Sequence, residues 1–88
     1  MYEIAIERAA AKMLGKLSKD AQLRIQGVIE TLAVTPRPPA AKKLHGSARP
    51  LWRVRTGDFR IIYEVIDGKL LIIVVAVGHR REIYKRHS

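Results

Sequence analysis

Tyr2, Ile4 and Ile6 alternate with Glu3, Ala5 and Glu7, the period of two that gives a strand one buried face. Over residues 8–17 the repeat changes, and Ala10, Met13, Leu14 and Leu17 fall at helical spacing. Ser18 then reads as the N-cap of a second helix, with Asp20 in the first turn where a carboxylate meets the positive end of the helix dipole. That helix carries Ile25, Val28, Ile29 and Leu32 on one face. It ends near Thr35, because Pro36, Pro38 and Pro39 lack N–H donors and clash with continued helix. The result is a helical hairpin whose apolar stripes need a common partner.

The rest of the chain supplies a sheet. Residues 51–56, 59–66 and 70–77 are rich in β-branched and aromatic side chains and are separated by Gly57-Asp58 and Asp67-Gly68. Two-residue turns at both places predict two antiparallel hairpins. Arg55 then pairs with Arg60, Val54 with Ile61 and Trp52 with Tyr63; in the second hairpin Ile66 meets Lys69, Tyr63 meets Ile72 and Arg60 meets Val75. This register puts Trp52, Val54, Phe59, Ile61, Tyr63, Ile72, Val74 and Ala76 on a helix-facing side. Arg53, Arg55, Arg60, Ile62, Glu64, Leu71, Ile73 and Val75 take the other. The expected fold is α+β, with an N-terminal strand, a helical hairpin and a three-strand antiparallel meander. They form one sheet with the helices on one face, in a single domain over residues 1–88.

Charge changes this picture. The chain holds 17 Lys+Arg against 8 Asp+Glu, a net +9, and the excess is uneven. Residues 1–40 have six basic and four acidic residues, whereas residues 41–88 have eleven and four. One strongly positive half attracts polyanions such as RNA, DNA or an acidic protein. Placing Arg55 opposite Arg60 costs roughly 0.2–1 kcal/mol, which packing alone does not explain and a bound anion would. In the expected register Gly78, His79, Arg80 and Arg81 emerge beside these two arginines, with Tyr84 shortly after.

Other chemistries find no residues to carry them. There is no cysteine for a disulfide or thiolate metal site, and a reducing cytoplasm is the expected compartment. No carboxylate cluster, His-x-x-x-His pair or glycine-rich phosphate loop occurs, so neither metal nor cofactor is expected. The start of the chain lacks the basic and apolar run of a signal peptide. The longest apolar run, residues 70–77, is far shorter than the about 20 residues of a membrane span.

Guanidinium forks bind phosphate oxygens bidentately but do not exchange protons near neutrality, which suits Arg53, Arg55, Arg60, Arg80 and Arg81 to charge stabilisation. RNA brings its own nucleophile, the 2′-hydroxyl, so such a site can act without a metal. Histidine has the ordinary pKa for proton transfer near neutrality, making His79 a candidate acid or base; the alternative is a surface histidine at a strand end. Tyr84 either stacks on a base or anchors the C-terminal tail. His45 and His87 look incidental.

The segments PRPPAAKKLHG, LWRVRTGDFRIIYEVID and VVAVGHRREIY, in this order of elements, resemble the RelE/ParE superfamily of bacterial toxins, most closely the RelE branch. The resemblance implies a toxin of a type II toxin–antitoxin system that cuts messenger RNA in the A site of the 70S ribosome without a metal. It implies that Arg60 and Arg80 act on the scissile phosphate and that Tyr84 stacks on or activates the substrate. Arg53 and Arg55 stand where members carry lysines that hold the RNA backbone, and His79 stands where members have lysine or histidine. Arg81 and Lys85 are expected to add RNA contacts. A RelB-like antitoxin with an acidic segment is the implied partner, in a toxin–antitoxin heterotetramer among other assemblies. Ile62, Leu71 and Ile73 on the charged face, or the exposed surfaces of the helical hairpin, could receive it as an extended or helical segment; the alternative is that these apolar side chains are covered by the chain's own tail. Two alternatives stand beside this reading, a ParE-like inhibitor of DNA gyrase and a nucleic-acid-binding module without activity.

Overall fold

A computed structural model describes residues 1–79 of the chain. The elements are β1 (Glu3–Ile6), α1 (Arg8–Gly15), α2 (Lys19–Val34), β2 (Lys42–Lys43), β3 (Leu51–Thr56), β4 (Phe59–Ile66) and β5 (Leu71–His79). Five strands form one sheet in the order β1-β5-β4-β3-β2, one more than the pattern predicts. The added strand is β2, whose two lysines carry no strand signature. β1 lies parallel to β5, and every other pairing is antiparallel.

The helices form where the pattern places them. Ser18 caps α2 by accepting a hydrogen bond from the Ala21 N–H at 3.2 Å. The helix closes at Thr35, one residue before Pro36. α1 ends at Gly15, two residues short of the expected limit. Ala10 and Leu14 of α1 join Ile25, Ile29 and Leu32 of α2 over Val54, Ile61, Tyr63, Ile72, Val74 and Val77, which makes the main core. A smaller apolar cluster of Leu51, Ile62, Val75 and Ala76 lies on the opposite face, with Leu44 and Ile73 packed against it. Among the described residues no helix is long and apolar enough to cross a membrane.

The first hairpin has the expected register throughout, from Thr56↔Phe59 to Trp52↔Tyr63. Its turn takes positive φ at Gly57 (59°) alone, the pattern of a type II′ turn with glycine in first place.

The second hairpin corrects the expectation twice. Asp67-Gly68 is not a two-residue turn; Asp67–Lys69 form a 3₁₀ turn and Leu70 takes the left-handed conformation (φ 50°). Asp67 is held there by the Tyr2 hydroxyl, which donates to its carboxylate at 2.6 Å, and by Arg37 at 2.7 Å. Ile66 therefore pairs with Leu71, and Tyr63 with Val74. Two extra turn residues leave the faces unchanged, but a bulge between Ile62 and Tyr63 does not. Val75 is the extra residue, so beyond it every side chain of β5 changes face. Ala76 pairs with Ile62 on the open face rather than joining the helix-side core, and Val77 takes the core position.

Candidate nucleic-acid interface

The face away from the helices collects the basic residues. Strand alternation puts Arg53 and Arg55 on it from β3 and Arg60 from β4, and Arg55 pairs with Arg60 as expected. On the outer side Lys42 of β2 pairs with Arg53. These four side chains and Ala40 line a cleft of about 350 Å³. Gly78 stands opposite Arg60, so β5 contributes no side chain at that position.

A proline-rich loop supplies the cleft's outer wall. The fully buried Tyr63 donates its hydroxyl to the Pro36 carbonyl at 2.7 Å, and burial pushes its phenol up to about 12. The Ala41 N–H bonds the Pro38 carbonyl at 2.9 Å, just ahead of Lys42. Arg37 stacks over Trp52, 5.5 Å from the ring centroid, while its ion pair with Asp67 ties the loop to the far turn. Hydrogen bonds from Arg37 and then Tyr2 hold the Asp67 carboxyl below its ordinary range.

Arg60 is the unusual member of the set. Only 3% of it is exposed; one terminal nitrogen donates to the Phe59 carbonyl at 3.3 Å, and the buried Nε has no partner among the described residues. Among the described residues no carboxylate pairs with Lys42, Arg55 or Arg60. A buried cation without a counter-ion is costly, so the site is electrostatically arranged to receive an anion. The fork of a guanidinium fits the oxygens of a phosphate or phosphorane.

The expected set is brought together only in part. Arg53, Arg55 and Arg60 converge. His79 does not, because the bulge turns it to the helix side, where it pairs with Phe59 and the ring centroids lie 4.7 Å apart. Without that extra residue His79 would share the face of Arg60. Arg80, Arg81, Tyr84 and Lys85 lie outside the described residues. Sequence reasoning missed Lys42, whose signal was two lysines immediately after the prolines. It also missed Arg49, which binds Glu64 at 2.8 Å and Glu7 at 3.1 Å at the other end of the same face. Of the apolar residues expected on this face, Ile62 is 1% exposed, held in the Leu51 cluster under Leu44.

Known proteins share this architecture. The family model of the ParE toxin of type II toxin–antitoxin systems, parDE, matches residues 4–84. A RelE-like toxin protein of Escherichia coli is 33% identical over 79 residues, covering 90% of this chain and 83% of its own length. Toxin RelE1 of Methanocaldococcus jannaschii is 31% identical over 87 residues, covering 96% of each. In the archaeal RelE–RelB complex from Pyrococcus horikoshii OT3, one chain superposes with a TM-score of 0.78 at 29% identity, over 90% of this chain and 94% of that one.

Proposed function

The chain belongs to the RelE/ParE superfamily of type II toxin–antitoxin toxins, and on that premise we propose that it is an endoribonuclease toxin that cuts translated messenger RNA in the ribosomal A site. The observation that carries this reading is Arg60, a buried guanidinium whose Nε has no partner among the described residues and which lines a cleft with three further cations.

The chemistry follows from what such a cleft can hold. The 2′-hydroxyl of the substrate loses its proton and attacks the adjacent phosphorus in line; the bond to the 5′-oxygen breaks, and that oxygen gains a proton. The products are a 2′,3′-cyclic phosphate and a free 5′-hydroxyl. Charge builds on the non-bridging oxygens in the crowded intermediate, and donors already fixed at that position stabilise it without reorganising. Arg60 has this role, with Arg55 beside it; Arg80 is assigned to the same phosphate by the family resemblance. Arginines do not carry the protons. With His79 packed on Phe59, we assign proton transfer or base stacking to Tyr84, and replacement by Phe separates the two. Activity kept in Tyr84→Phe and lost in Tyr84→Ala makes the ring the working part.

The partner we infer is a RelB-like antitoxin, on the ground that the solved relative is a RelE–RelB complex. An acidic segment laid over the basic face would exclude RNA. The compartment we infer is the cytoplasm, where translated messages are found.

A second reading, a ParE-like poison of DNA gyrase, is favoured by the description of the matching family model. Expression in cells followed by primer extension separates the two. The nuclease reading expects cuts inside translated codons that vanish in Arg60→Ala and Arg80→Ala with the fold retained. A DNA-damage response with intact messages would replace it with the second.

A further inference from the structure

Lys42 lies outside the set of residues assigned by family resemblance, yet it lines the same cleft as Arg53, Arg55 and Arg60. Its placement is specific. Lys42 and Lys43 are neighbours on a two-residue strand, but Lys43 pairs with Trp52 and Lys42 with Arg53, so only Lys42 shares the face of the cleft. The backbone on both sides of it is tied down, by Ala41 N–H to the Pro38 carbonyl and by Leu44 N–H to the Leu51 carbonyl, each at 2.9 Å.

The four cations make two rungs. Arg55 and Arg60 face each other across β3 and β4; Lys42 and Arg53 face each other across β2 and β3. Along β3 the rungs are two residues apart, about 6.8 Å in an antiparallel strand. That separation is commensurate with successive phosphates of an extended single strand. The cleft is also much larger than one phosphate group, and one of its rungs holds the buried, unpartnered Arg60 Nε.

We propose that Lys42 and Arg53 form a second phosphate subsite, so that the cleft grips two consecutive phosphates of one RNA strand, the scissile one at Arg55 and Arg60 and its neighbour at Lys42 and Arg53. The proposal rests on the endoribonuclease reading and names how that site takes its substrate. A lysine on an edge strand can instead serve only to discourage the addition of another strand. That role predicts no dependence on the number of phosphates.

The test uses the purified chain and uncleavable 2′-O-methyl oligonucleotides bearing one, two or three phosphates, with binding read by fluorescence anisotropy over a range of salt. The wild type is expected to gain affinity from one phosphate to two. Lys42→Gln is expected to lose about three- to fivefold on the two-phosphate probe and nothing on the one-phosphate probe. Its log–log salt slope should fall by about 0.7, one phosphate's share for a single strand. Lys42→Arg, which keeps the charge, should restore both. A length dependence indifferent to Lys42→Gln overturns the subsite and leaves the nuclease reading standing. No binding of any probe by the wild type also overturns the subsite, and the nuclease reading is then decided by primer extension in cells.

Discussion

Arg49 and Arg60 reach the same open face of the sheet from opposite ends, and their surroundings could hardly differ more. Arg49 keeps 40% of its side chain exposed and holds two carboxylates, Glu64 at 2.8 Å and Glu7 at 3.1 Å. Arg60 is 3% exposed and, among the described residues, bonds one backbone carbonyl. The end of the face that could more easily leave its charge to water has compensated it, and among the described residues the end that most needs a counter-ion has none. An arrangement chosen for stability alone would reverse the two, because an uncompensated buried charge costs more than a partly exposed pair contributes. Arg49 therefore fastens the loop before β3, while the surroundings of Arg60 suit the anion-binding role proposed for it.

Replacing Arg60 should give the largest effect and the clearest dissociation. Arg60→Met keeps most of the apolar stem and removes the guanidinium, so RNA cleavage is expected to fall about 10²–10³-fold. Thermal melting should show stability unchanged or raised by about 1 kcal/mol, since a buried charge and an orphan donor have gone. A marked loss of stability would mean that Arg60 is structural.

Tyr63 sharpens the comparison from the other face of β4. Its buried hydroxyl is satisfied by the Pro36 carbonyl, as Arg60 Nε is not. With the folded phenol near 12 and the unfolded one near 10, the unfolded chain ionises first. Stability should be intact below pH 10 and decline between pH 10 and 12, by as much as about 2–3 kcal/mol. Tyr63→Phe should remove most of this alkaline slope in pH-dependent denaturant melts.

Arg49→Ala should do the opposite of Arg60→Met. It leaves Glu64, with 17% of its side chain exposed, without its cation, and should cost about 1–2 kcal/mol in chemical denaturation while RNA affinity is kept. The smallest effect is expected at low pH. Asp67, held below its ordinary pKa by Arg37 and Tyr2, contributes stability above about pH 4 that is lost as the pH falls through its folded value. Arg37→Gln should flatten that acid limb in the same melts.

How much of this was legible in the chain depended on the range of the contacts that decide it. The first hairpin follows from local rules, since Gly57 supplies the one positive φ its turn needs and the pairing of Arg55 with Arg60 depends on nothing else. The second hairpin does not. Its turn is shaped by Tyr2 and Arg37, both at least 30 residues distant, and its register by a bulge with no glycine or proline to announce it. For that reason the pattern alone puts Arg60 on the open face and the segment of Gly78 and His79 beside it, but does not reveal that His79 turns to the other face. β2 escaped notice because two lysines show no periodicity; only its partner strand makes it a strand.

The role of Arg60 is read most directly by ¹⁵N NMR of the arginine side chains during titration with an uncleavable dinucleotide. The Nε–H resonance of Arg60 should shift strongly and exchange more slowly with water as the phosphate supplies its missing partner, while the Arg49 resonance stays in place. An Arg60 signal that ignores the ligand, or moves no more than that of Arg49, would contradict the account.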